Sequence, residues 1–155
     1  MPRAIQRFVV SLKAAIVRDR QLLLLREADT GFWELPGGRI DEGEEWIPQA
    51  EVLAREIAEE LGGAVAIAPG PETVTWVRQR PADGVFQLLV VRLCRFESGD
   101  LKVSPEHCDF AWTTPADWAD LEFPPLSGYR DGLHRVWAHL PVRADQTSAP
   151  TVSSL

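Results

Sequence analysis

The stretch Trp33-Glu34-Leu35-Pro36-Gly37-Gly38-Arg39-Ile40-Asp41-Glu42-Gly43-Glu44 and, beyond Glu45 to Ala54, the stretch Arg55-Glu56-Ile57-Ala58-Glu59-Glu60-Leu61-Gly62 decide the fold. Pro36 disfavours helix before it, so Phe32 to Leu35 reads as extended. Gly37-Gly38 breaks regular structure and lets the backbone come close to a ligand. The second stretch ends a helix expected over Ile47 to Leu61. There Ala50, Leu53, Ala54, Ile57 and Leu61 recur at helical spacing as one apolar stripe. Gly62-Gly63 stops the helix. Glu59 and Glu60 follow Glu56 at i+3 and i+4, so all three acids share one face. At roughly 100° per residue, they span an arc of about 100° that flanks the stripe. Such a helix buries one side and presents its acids along the edge of a cleft.

An acidic helix face is usually only solvated surface. Like charges at i,i+4 nevertheless cost a few tenths of a kcal/mol, and no lysine stands between Lys13 and Lys102 to relieve them. A divalent cation turns that repulsion into binding. Magnesium favours carboxylate and water oxygens, keeps several waters and bridges to substrate phosphates.

Upstream, Phe8 to Val17 and Gln21 to Arg26 read as a strand hairpin about the polar turn Arg18-Asp19-Arg20. Downstream, Thr73 to Arg80 and Val85 to Phe96 read as strands joined by Pro81-Ala82-Asp83-Gly84. Phe110 to Thr113 is expected to be a short strand, Pro115 to Asp120 a helical turn and Leu133 to Leu140 a closing helix. Strands, a central helix, more strands and a last helix give an α+β fold, a mixed sheet sandwiched between helices. Residues 1–142 are expected to form one domain. Arg143 to Leu155, small and polar, reads as a mobile tail.

The 155 residues are 45% hydrophobic and 25% charged, enough apolar material for a core. A net charge of −7 argues against nucleic-acid tracking, which wants clustered Lys and Arg. It is compatible with an anionic small molecule if metal ions supply local positive charge. Cys94 and Cys108 form no CxxC pair, and His107 beside Cys108 lacks further zinc ligands at sensible spacing. No disulfide dependence, signal peptide or membrane span is read, so the expected location is the cytoplasm.

The two opening stretches together resemble the signature of the Nudix hydrolase family, with MutT-like character in WELPGG. Gly38, Glu44, Arg55, Glu56, Ile57, Glu59, Glu60 and Gly62 take the matching places. Two departures are present. Ten residues, Glu45 to Ala54, stand where the family has seven, and Gly63 stands where an aliphatic residue is usual. The extra residues are expected to lengthen the loop around Glu45 to Pro48, with Pro48 marking the helix start.

The resemblance implies a hydrolase that cleaves a diphosphate linkage in a nucleoside diphosphate joined to another moiety, such as a nucleoside triphosphate. It implies Mg2+, or Mn2+, held by Glu56, Glu59 and Glu60. Arg55 would orient the acids, with Glu44 supporting it, and Gly37-Gly38 would place backbone groups near the metal. Glu106, on a late loop, is the candidate general base, with Glu59 or Glu60 as the alternative. Arg26, Arg39 and Arg78 are candidate phosphate contacts. Trp76, Phe86 and Phe123 are candidate base-stacking rings, each also suited to core packing. The expected partner is a nucleotide, with no nucleic acid or membrane; a homodimer is left open. The alternative is a Nudix-fold nucleotide-binding or regulatory domain with weakened catalysis.

Overall fold

In the computed structural model, which describes residues 1–141, ten elements follow one another. They are β1 (Val9–Arg18), β2 (Gln21–Glu27), β3 (Trp33–Glu34), β4 (Gly37–Arg39), α1 (Gln49–Leu61), β5 (Ala66–Gln79), β6 (Phe86–Ser98), β7 (His107–Thr113), α2 (Pro115–Trp118) and α3 (Tyr129–Ala138). The strands form one seven-stranded mixed sheet. Its order is β3-β2-β1-β6-β5, with β4 also paired to β1 and β7 to β2. β1 and β6 run parallel; every other pair is antiparallel.

Alternation along the strands sorts the core into two layers. Ala15, Leu22, Leu24, Val74, Trp76, Leu89 and Val91 point to one face, where Trp118 of α2 and Tyr129, Leu133 and Val136 of α3 cover them. Leu12, Ala14, Ile16, Leu23 and Leu25 point to the other, against Val52, Leu53, Ile57 and Leu61 of α1. The run of four leucines is therefore buried on both sides. The α+β sandwich expected from the order of elements is the one observed. Gly132, midway along α3, sits against Trp76, where a methyl group would stand 2.6 Å from ring atoms.

The structure corrects several local expectations. α1 starts at Gln49, with Pro48 at its N-cap, rather than at Ile47. Its buried face is Val52, Leu53, Ile57, Glu60 and Leu61, whereas Ala50 and Ala54 are exposed. The helix is rolled toward its acidic side, because larger side chains gain more from burial than alanine does. A buried Leu or Ile is worth roughly 1.5–3 kcal/mol, which outweighs the few tenths lost to each like-charge pair. Gly37 and Gly38 do not break regular structure; they form β4, paired with Leu12 and Lys13 of β1. β5 begins well before Thr73, through a register shift between Pro69 and Thr73. α3 begins at Tyr129, before Leu133. The expected tail, Arg143 to Leu155, lies outside the described residues. No helix among those described is long and apolar enough to cross a membrane.

Candidate active site

A cleft of about 650 Å³ opens where α1, β4 and the exposed end of the α3-side sheet face meet. That volume falls within the range of ordinary small-molecule sites. Glu56, Glu59 and Glu60 of α1 line it with Gly37, Gly38 and Arg39 of β4, Ser11 and Lys13 of β1, Arg78 near the end of β5, Arg80 just past it, and Glu106 before β7.

The glycines bring backbone and acids together. Gly37 has φ +125°, a conformation L side chains rarely adopt, and a Cβ there would overlap the Leu12 carbonyl. In that position its N–H donates to Glu60 Oε2 at 2.6 Å. A Cβ at Gly38 would overlap the Glu56 carboxylate. Only two bare backbone positions let β4 lie this close to the acids of α1.

Arg55 gathers the other carboxylates. Its Nε donates to Glu44 Oε1 at 2.9 Å, a second nitrogen lies 2.9 Å from Glu56, and Nη1 lies 3.2 Å from Glu59. The chain between β4 and the helix start at Gln49 forms a loop, and Glu44 meets Arg55 across it. Glu59 is the most solvated of the helix acids, its side chain 59% exposed.

Beneath the acids lies a buried polar cluster that sequence reasoning did not assemble. Lys13 Nζ donates to Gly37 O at 2.7 Å and lies 3.5 Å from Glu34. His107 Nε2 lies 3.4 Å from the same carboxylate. Burial alone would raise the Glu34 carboxyl, but the Lys13 charge and the His107 hydrogen bond outweigh it and hold Glu34 at about 2. Burial likewise opposes charge on Lys13 and His107, and the nearby carboxylates, Glu34 foremost, raise both. Glu60 goes the other way. Burial pushes it up to about 7 against the pull of Lys13 and the Gly37 N–H. Burial raises Glu56 as well, against Arg55. Glu34, Glu60 and His107 offer ligand atoms within 4.8 Å of one another.

A model of the NUDIX domain matches residues 9–131. The chain belongs to the Nudix family. A MutT-like protein of Streptomyces ambofaciens is 36% identical over 107 residues, 68% of this chain and 64% of that one. The chain thus spans just under two thirds of that relative's length. Nucleoside triphosphatase NudI of Escherichia fergusonii is 30% identical over 122 residues, 69% of this chain and 82% of the relative. Among solved structures, a MutT Nudix hydrolase from Burkholderia pseudomallei is similar with a TM-score of 0.62 and 30% identity, covering 84% of this chain and 99% of that one.

Within the Nudix framework the expected site residues divide. Gly37, Gly38, Arg39, Glu56, Glu59, Glu60, Arg78 and Glu106 line the cleft, and Arg55 and Glu44 stand directly behind the acids. Four candidate substrate contacts, Trp76, Arg26, Phe123 and Phe86, do not. Trp76 is 7% exposed and packs edge-on against Tyr129 under α3, because its ring faces the core row of β5. Arg26 turns back on its own loop, its Nε donating to Gly31 O at 3.0 Å. Phe123 stacks on Tyr129, and Phe86, 36% exposed, meets Phe8 away from the cleft. His107 is buried while Cys108, next along β7, is exposed, so the two do not form a joint thiol-imidazole site.

The missed residues include Ser11, Lys13, Glu34, Arg80, Gln87 and His107. One signal was available: Ser11 and Lys13 interrupt an otherwise apolar strand, and a lysine buried in a sheet requires a partner.

Proposed function

We propose that this chain hydrolyses a diphosphate linkage in a nucleoside diphosphate joined to another moiety, with Mg2+ or Mn2+ as cofactor. The observation that carries the reading is the convergence of Glu56 and Glu60 on the bare backbone of Gly37-Gly38. Two half-buried or buried acids, both pushed toward neutrality by burial, form a donor set short of positive charge. That deficit fits a divalent cation held by Glu56 and Glu60, with Glu59 at the solvent side. A cation there supplies charge neutralisation on the diphosphate oxygens and a more acidic water.

The chain's own residues do the rest. Arg55, fixed by Glu44, holds Glu56 and Glu59 in place. Arg39 and the Gly37-Gly38 backbone orient the phosphates from the β4 side of the cleft. Glu106 accepts the proton of the attacking water as the phosphorus–oxygen bond of the linkage breaks. The products are a nucleoside monophosphate and a phosphorylated second moiety, or pyrophosphate when the substrate is a triphosphate.

A nucleotide panel assayed with Mg2+ and again with EDTA tests this. Turnover of at least one diphosphate-containing nucleotide, lost in EDTA, is expected; no turnover across the panel would overturn the reading. Glu106→Gln should lower kcat about 100-fold or more, with KM little changed. An unchanged kcat removes Glu106 from the mechanism.

A further inference from the structure

Three basic side chains converge on one carboxylate in the cleft. Around Glu34 stand His107 at 3.4 Å, Lys13 at 3.5 Å and Arg78 at 3.9 Å. Arg78 has the longest of these contacts. Its side chain is only 13% exposed, and its Nε is buried without a hydrogen-bond partner among the described residues. Leaving such a donor unmet costs about 1–3 kcal/mol. A guanidinium that fits carboxylate or phosphate oxygens bidentately gains when an anion meets it.

The surroundings supply further donors. Arg80, two residues on and just past the end of β5, lines the cleft and pairs with Asp83. Gln87 of β6 is the register partner of Arg78; it is 5% exposed and lines the cleft. Ser11 of β1, one step further along the same face, lines it too. None of the described residues lining this cleft is aromatic. On this wall, opposite the acids of α1, Arg78 and Arg80 offer guanidinium donors to a small anionic group rather than a ring to a stacked base.

We propose that Arg78, with Arg80, Gln87 and Ser11, forms a second anion subsite that takes a phosphoryl group outside the diphosphate linkage to be cleaved. The role within a substrate rests on the hydrolase reading; the anion site itself does not. A terminal phosphate of a nucleoside triphosphate and a phosphomonoester on a sugar share this chemistry.

Calorimetry with inorganic pyrophosphate in EDTA, at low ionic strength, reads the subsite without a divalent cation. Wild-type protein should bind it, Arg78→Gln should weaken binding about 10-fold or more, and Arg78→Lys should retain part of it. Glu56→Gln, on the acidic wall, should not weaken it. A wild-type protein that takes up no pyrophosphate, or an Arg78→Gln variant that binds it equally, overturns the proposal. Should Arg78→Gln fail to fold, Arg80→Gln has to weaken binding several-fold, and equal binding again overturns it.

With Mg2+ present, three substrates separate the sources: a nucleoside triphosphate, a nucleoside diphosphate sugar bearing a phosphomonoester, and one without. Arg78→Gln should raise KM for the first or the second and leave the third unchanged, and the one that rises identifies the source. An equal rise for all three overturns the proposal. Absence of turnover by wild-type protein counts against the hydrolase reading alone, and calorimetry still decides the subsite.

Discussion

Glu34 and Glu60 are buried to the same degree, each 7% exposed, and they titrate in opposite directions. Glu34 is held at about 2 and Glu60 is driven to about 7. Desolvation raises both. The difference is company: Glu34 has Lys13, His107 and Arg78 around it, whereas Glu60 accepts one backbone N–H and has nearby only a lysine and a histidine that both pair with Glu34. One carboxylate is finished by folding. The other is left for something that arrives later.

The largest expected effect comes from Glu34→Gln. It strips the carboxylate from the buried Lys13 and should cost about 3–5 kcal/mol in urea unfolding. A loss under about 1 kcal/mol would mean that the cluster does not depend on this charge. Next is the pH dependence of the cation-free protein. Glu60 has a raised pKa, so its contribution is present below the ordinary carboxyl value of 4.5 and is lost as pH rises through about 7. His107, also raised, adds in the same direction. Stability should therefore fall by roughly 3 kcal/mol between pH 4.5 and 8 in EDTA. Glu34 works in reverse, present above 4.5 and lost as pH falls through about 2, so stability should drop again in strong acid. A flat profile in EDTA from pH 5 to 8 would erase the contrast between the two acids.

Third, Glu60→Gln keeps an oxygen for the Gly37 N–H but removes the charge. Turnover should fall about 100-fold or more, while the melting temperature in EDTA at pH 8 should hold or rise. A variant that is both active and destabilised would assign Glu60 a structural role instead. The smallest effect is expected from Glu44→Gln. Arg55 is about one third exposed, so solvent screens the pair, and about 1 kcal/mol of stability should be lost at most. Its sharper reading is kinetic, because Arg55 then loses the partner that fixes it between Glu56 and Glu59. Turnover that matches wild type would show that Glu44 does not support the acids.

What the sequence made legible is what local pattern encodes. The hairpin, the acidic face of α1 and the glycines beside it each follow from spacing within a few residues. The contacts that finish the site join positions far apart: Lys13 with Glu34 and Gly37, Arg78 with Glu34, and Glu34 with His107. Periodicity carries no information about such pairings. The rolled stripe of α1 was misread for a related reason: Ala50 and Ala54 fit the helical period as well as Val52 does, and only the packing partner separates them. Trp76 could have faced a ligand or the core from its sequence alone, and α3 decides which.

Gly132 shows how a helix position can be wrong by propensity and right by clearance. An alanine in mid-helix usually gains about 1 kcal/mol over glycine, so a thermostability campaign would choose this site early. Here the added methyl would meet the Trp76 ring at 2.6 Å, and α3 or the ring would have to retreat. Trp76 is two residues from Arg78 on the same face of β5, so the ring under pressure shares its strand with a residue that lines the cleft. Tightening α3 by the usual rule would disturb the strand that it covers.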